Sequence, residues 1–79
     1  MAQLNLDNIK RINKLKNSIH DKVYCTYTSF NIYGNKYLQI DTYGKKDREM
    51  PEKISQSFQI NKEVAKYLVN LLINEFDLK

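Results

Sequence analysis

Scarce residue types exclude several classes of protein. The sequence has one cysteine, Cys25, and one histidine, His20. A lone cysteine cannot form an internal disulfide and fits a reducing compartment, and the two residues do not have the spacing of a zinc site. No apolar run reaches transmembrane length, and the first ten residues lack the unbroken apolar core of a signal peptide. We therefore expect a cytoplasmic protein that uses no metal or other cofactor and does not enter a membrane.

Catalytic groups are scarce as well. His20 is expected at the end of a helix, where a cation suits the helix dipole, and no nucleophile is near it in sequence. Asp41, Asp47 and Glu49 could in principle bind a nuclease metal, but the histidine or strand-borne Glu-x-Lys of such sites is missing. The two glycines are isolated and form no phosphate loop. The sequence favours a protein that is not an enzyme.

The length of the chain limits what it can bury. Its 79 residues suffice for one domain, 1–79, and a domain of this size buries only about 60% of its unfolded surface. A homodimer is therefore expected. The net charge is +4, with most of the excess in residues 1–22, and this charge would attract polyanions weakly. A basic surface that only maintains solubility is the alternative.

Residues 1–21 are predicted to form a basic amphipathic helix. Apolar residues recur at helical intervals at Leu6, Ile9, Ile12, Leu15 and Ile19. The other faces carry Lys10, Arg11, Lys14 and Lys16. Such a helix packs on a core or lies on nucleic acid. A membrane surface is less favoured, because the apolar stripe has no Trp or Phe.

Residues 22–60 are predicted to form an antiparallel sheet, a hairpin followed by a third strand. The hairpin turns near Gly34, and the length of its loop decides which side chains share a face. A two-residue loop of Gly34 and Asn35 would mix Leu38 with Asn31. A three-residue loop, 33–35, places Phe30 opposite Leu38 and keeps the apolar side chains together, so we predict that loop.

The predicted loop leaves one face of the sheet polar and rich in tyrosine. This face would hold Tyr37, Gln39, Asp41 and Tyr43 in the second strand, Tyr27, Ser29 and Asn31 across from them, and Lys53, Ser55, Ser57 and Gln59 in the third strand. A loop of residues 44–52 borders it with several cations. Aromatic rings that stack on bases at roughly 1–3 kcal/mol each, beside cations that follow phosphates, are typical of single-strand binding. A merely solvated sheet surface is the alternative.

Residues 61–77 are predicted to form an amphipathic helix that packs on one face of the sheet. Asn61 is its expected N-cap. The stripe that would face the sheet consists of Val64, Ala65, Leu68, Leu71, Leu72 and Phe76. Tyr67, Val69, Ile73 and Phe76 form a further apolar flank, which we predict to be the dimer interface.

The order of these elements resembles a known family. The stretch "FNIYGNKYLQIDTYG" looks like the second hairpin of the positive-cofactor-four type of single-stranded-DNA-binding transcriptional coactivators, and "EKISQSFQINKEVAKYLVNLL" is similar to their lysine-led strand and dimer helix. The resemblance covers residues 23–76. It implies a curved sheet that grips an unpaired strand and paired helices that join two sheets. The string "YLQIDTYG" also resembles that of short bacterial and phage-borne proteins.

The sequence thus predicts an α+β fold with an N-terminal helix, a three-stranded antiparallel sheet and a C-terminal helix. Its predicted function is non-catalytic binding of single-stranded DNA or RNA, as in a transcriptional regulator. The residues predicted to contact the nucleic acid are Lys36, Tyr37, Gln39, Tyr43, Lys45, Lys46, Arg48 and Lys53. The alternative is a protein-interaction module, such as a phage or mobile-element regulator that binds a host or defence protein.

Overall fold

The computed structural model describes residues 1–44 and 53–78. The fold is α+β, with one four-stranded mixed sheet and one C-terminal α-helix. Its elements are β1 (Ala2–Gln3), a 3₁₀ turn (Leu6–Asn8), β2 (Cys25–Ile32), β3 (Asn35–Tyr43), β4 (Ile54–Ile60) and α1 (Lys62–Phe76). The strands lie in the order β1-β4-β3-β2, with β1 parallel to β4 and the other pairs antiparallel. The predicted three-stranded sheet therefore lacked β1.

The predicted N-terminal helix is wrong. Only the 3₁₀ turn at Leu6–Asn8 is helical, and residues 10–24 are exposed, with Leu15 and Ile19 fully so. A short helix needs a surface on which to bury its apolar stripe. Here the 3₁₀ turn already lies against α1, and the asparagines scattered through the segment are weak helix formers.

The hairpin between β2 and β3 turns through Tyr33 and Gly34, not through the predicted residues 33–35. Both turn residues have positive φ, 51° and 80°, which is the type I′ geometry that matches the twist of a two-residue hairpin. Ile32 therefore pairs with Asn35. The loop was mispredicted because a bulky residue rarely takes positive φ, and tyrosine does so here.

The shorter turn exchanges the two faces of β2. Tyr37 now lies opposite Phe30, Gln39 opposite Thr28 and Asp41 opposite Thr26. The β2 residues that were predicted to lie beside Tyr37 and Tyr43 are therefore the wrong ones. Those residues, Tyr27, Ser29 and Asn31, share the side of the sheet that carries Leu38, Ile40, Phe58 and Ile60.

Helix α1 lies on the side of the sheet that carries Leu38 and Ile60. Both residues line a groove together with Ala65 of the helix. Asn61 caps the helix as predicted, and its Oδ1 accepts a hydrogen bond of 2.9 Å from the N–H of Val64. Apolar residues that are buried among the described residues are only Tyr43, Ile60 and Val64. The core is therefore small, as the length of the chain led us to expect.

The C-terminal half of α1 reaches the N-terminal segment. An ion pair of 3.3 Å joins Arg11 to Glu75, and both side chains are mostly exposed. Exposed pairs of this kind contribute about 0–1 kcal/mol, so the contact positions the segment without holding it firmly. Within residues 1–44 and 53–78, no helix is long and apolar enough to cross a membrane.

Candidate nucleic-acid interface

The side of the sheet opposite α1 carries the candidate site, which we name the polar face. Alternation along β2, β3 and β4 sends mostly polar or aromatic side chains to this side of the sheet. Its members are Thr26, Thr28 and Phe30 of β2, Tyr37, Gln39, Asp41 and Tyr43 of β3, and Ser57 and Gln59 of β4. Asp41 is the only charged residue among them.

A chain of side-chain hydrogen bonds runs across the middle of the polar face. The Nε2 of Gln59 donates to the Oε1 of Gln39 over 2.8 Å, and the Nε2 of Gln39 donates to the Oδ1 of Asp41 over 2.9 Å. The Oγ of Ser57 donates to the same Oδ1. Asp41 and Ser57 are buried, and no buried side-chain polar atom among the described residues lacks a partner. The amides are therefore held in fixed orientations before any ligand arrives.

Aromatic side chains lie at both ends of the polar face. Phe30 and Tyr37 are directly opposite across the strands, with ring centroids 5.6 Å apart and planes 24° apart. At the other end the rings of Tyr24 and Tyr43 are 5.4 Å apart and tilted by 57°. Tyr37 and Tyr43 are six positions apart in β3, a distance of about 20 Å. An unpaired strand of several nucleotides is long enough to contact both ends at once.

The rings differ in how much surface they offer. Tyr43 is only 8% exposed, and its hydroxyl lies 3.1 Å from the Oγ1 of Thr26. It therefore supports the ring of Tyr24, which is exposed. Phe30 and Tyr37 are half-buried. The accessible rings are thus Phe30, Tyr37 and Tyr24, whereas the sequence had predicted Tyr43 as a contact residue.

The predicted cations are not all near the polar face. Alternation puts Lys36 on the opposite side of the sheet, where it lines a groove with Lys62, and its predicted contact with nucleic acid stays a prediction. Lys53, just before β4, is exposed, and so is Lys22, a few residues before β2. These strand ends belong to the end of the sheet that holds Tyr24 and Tyr43. The predicted contacts Lys45, Lys46 and Arg48 lie outside the described residues.

The sequence prediction missed the residues that β2 contributes to the polar face. Phe30, Thr28 and Thr26 were missed, because their place on the polar face follows only from the correct turn.

In the predicted dimer interface on α1, Tyr67 is half-buried, whereas Val69, Ile73 and Phe76 are exposed at 54%, 42% and 68%. α1 therefore presents apolar surface that no other described residue covers.

The described residues were compared with the requirements of a metal-binding site. No three His, Cys, Asp or Glu side chains among them are close enough to hold an ion.

The resemblance to single-stranded-DNA-binding coactivators stays a prediction. No protein-family model matches this chain, and neither does any curated protein or solved structure.

Proposed function

We propose that this protein is a non-catalytic binding protein for single-stranded nucleic acid, which it holds on the polar face. The observation that carries the proposal is the pair of aromatic clusters at the two ends of one face of the sheet. Bases stack on such rings whatever their sequence, at about 1–3 kcal/mol per base. Binding that tolerates sequence is the expected behaviour.

The middle of the polar face supplies polar contacts. The amides of Gln39 and Gln59 are ordered by their bonds to Asp41 and to each other. An amide offers both donors and an acceptor to base edges or to sugar hydroxyls. The carboxylate of Asp41 is buried and already accepts two hydrogen bonds, so it orients the amides and does not face the ligand.

Cations for the phosphates gather at one end of the sheet. Lys22 and Lys53 are exposed near the Tyr24 end, and Lys45, Lys46 and Arg48 follow β3 and precede β4 in the sequence. β2, β3 and β4 themselves contain only one cation, Lys36. The backbone of the bound strand is therefore expected to leave the polar face at the Tyr24 end.

Removing the Tyr37 ring is expected to weaken binding of an oligo-dT probe about 10-fold, because one base loses its stacking partner. Fluorescence anisotropy at low salt measures the dissociation constant. Tyr33→Asn is the matched control: Tyr33 is 98% exposed at the hairpin tip, and asparagine suits its positive φ. Equal affinities for Tyr37→Ala and the wild type would contradict a stacking role for the polar face.

The double change Lys45→Ala and Lys46→Ala is expected to flatten the salt dependence of binding. Each phosphate contact that is lost lowers the slope of log K against log salt by about 0.7 for a single strand. The same titration at several salt concentrations measures the slope. An unchanged slope would show that these cations do not touch phosphates.

Binding of a protein partner is the second candidate function, and two observations favour it. The flank of α1 formed by Tyr67, Val69, Ile73 and Phe76 is apolar and largely exposed, and the three long strands carry only two charged residues, Lys36 and Asp41. A protein partner would bury such surface better than a polyanion does. A stoichiometric complex that survives nuclease, together with no affinity for oligo-dT, would select this function.

A further inference from the structure

The outer edge of β2 is a long row of unpaired backbone groups. β2 lies at one end of the sheet order, and within residues 1–44 and 53–78 it pairs only with β3. No described residue pairs with the other edge of Cys25–Ile32. An edge strand of this length is a template for a further strand.

The register identifies which residues point their backbone groups outward. The N–H of Tyr43 donates to the carbonyl of Tyr24 over 3.0 Å, so these residues form a hydrogen-bonded pair. Hydrogen-bonded and non-hydrogen-bonded pairs alternate along antiparallel strands. The even-numbered residues of β2 are therefore bonded to β3. The N–H and C=O groups that face the open edge belong to Cys25, Tyr27, Ser29 and Asn31.

This edge has none of the features that usually prevent strand addition. Proteins protect edges with charges, prolines or bulges, but the strand "CTYTSFNI" has no charged residue and no proline, and it pairs with β3 without a register shift. Six of its eight residues are exposed. The strand is therefore ready to pair.

Symmetry makes a second copy of the chain the best-fitting partner. A two-fold axis perpendicular to the sheet pairs β2 antiparallel with itself and brings no like charges together. The joined sheet then ends on both sides in β1, which has only two residues. A two-fold interface uses the same edge of both copies, so the association closes at a dimer. The small core of the single chain also leaves apolar surface for a second copy to cover.

We propose that two copies join through β2 into one continuous sheet, with Tyr27 at the two-fold axis. In this register Phe30 lies opposite Tyr24 of the second copy, and Cys25 lies opposite Ser29 of the second copy. Three hydrogen-bonded pairs form, with about six backbone bonds. This interface is separate from the flank of α1, which the dimer leaves open.

The register is chosen by the aromatic side chains. On the polar face it extends the Phe30–Tyr37 pair of one copy into the Tyr24–Tyr43 pair of the other. Cross-strand aromatic pairs are among the favourable contacts in sheets. On the α1 side, Tyr27 is 75% exposed in the single chain and meets its own symmetry copy. Both sides of the sheet thus gain aromatic contacts from one register.

Sedimentation across a concentration series, followed by cysteine cross-linking, tests the interface. In a Cys25→Ser background, Tyr27→Cys is expected to cross-link under mild oxidation, because paired Cα atoms about 5.5 Å apart suit a disulfide. Ser29→Cys in that background is the matched control, since its own symmetry copy lies about 13 Å away along the strand. Ser29→Cys with Cys25 retained is expected to cross-link again.

Two further variants separate loss of the interface from loss of the fold. Tyr27→Lys places two cations at the axis and is expected to weaken the dimer at least about 10-fold. Ser29→Pro removes an N–H that β3 does not use, so the hairpin is expected to persist while the dimer is lost. Far-UV circular dichroism monitors the fold in both.

Three results would overturn the proposal. They are a wild-type chain that stays monomeric at all concentrations, cross-linking of Ser29→Cys without Cys25 as fast as that of Tyr27→Cys, and a dimer that Phe76→Asp abolishes while Tyr27→Lys leaves it intact. The last would place the dimer on the flank of α1.

Discussion

Replacing Val64 by aspartate is expected to unfold the protein. Val64 is 0% exposed and is the largest fully buried side chain among the described residues. An unpaired carboxylate buried there costs several kcal/mol. The position is in the first turn of α1, where the helix dipole returns at most about 1 kcal/mol to an acidic residue. A small domain has only about 5–15 kcal/mol of stability, and this one has few other buried apolar residues.

Urea denaturation followed by circular dichroism measures the effect. Val69→Asp is the matched control, because it makes the same change on the same helix at a residue that is 54% exposed. In dilute protein it is expected to cost well under 1 kcal/mol, which is the difference in helix propensity. Val64→Asp with a near wild-type midpoint would contradict the placement of α1 on the sheet.

Removing the carboxylate of Asp41 is expected to destabilise the protein by about 2 kcal/mol. The hydroxyl of Ser57 is buried and would lose its acceptor, and a buried donor without a partner costs about 1–3 kcal/mol. Gln39 would also lose a bond, but it is half-buried and can turn to water. The free energy of unfolding of Asp41→Ala measures this loss.

A double-mutant cycle with Ser57→Ala isolates the contact between Asp41 and Ser57. Once the acceptor is gone, deleting the hydroxyl removes the unpaired donor, so the two losses are expected to be non-additive by about 1 kcal/mol or more. Ser55→Ala, at an exposed serine of the same strand, serves as the control and is expected to change stability by less than about 0.5 kcal/mol. Strict additivity would show that the two side chains do not interact.

Much of the fold could be predicted from local patterns. The apolar stripe from Val64 onward and the cap at Asn61 predicted α1, and the β-branched and aromatic residues around Gly34 predicted the hairpin. Both signals are local, so a single sequence displays them. The brief pairing of β1 with β4 has no such signal, because it joins two residues to a strand more than 50 positions away.

The N-terminal segment shows how a periodic pattern can mislead. Ile12, Leu15 and Ile19 recur at helical spacing, yet all three are exposed, at 70%, 100% and 100%. Periodicity shows that a helix could bury a stripe, but it does not show that a surface exists to receive it. The 3₁₀ turn and α1 already contact each other, which only the tertiary structure reveals.

The sequence predicted the β3 part of the candidate site correctly but not the part contributed by β2. Tyr37, Gln39 and Asp41 share a face in either register, because they belong to one strand and alternate together. Their neighbours in β2 depend on a single turn residue, Tyr33, whose positive φ no propensity favours. This one residue decides whether Phe30 or Asn31 lies opposite Tyr37.

Titration of ¹⁵N-labelled protein with oligo-dT, followed by NMR, tests binding on the polar face most directly. We predict that the side-chain amide signals of Gln39 and Gln59 and the backbone signal of Thr28 shift together and saturate. The signals of Ser29, whose side chain lies on the opposite side of the sheet, and of Ala65 in α1 should shift less. Shifts confined to the α1 side, or none at all at millimolar oligo-dT, would contradict it.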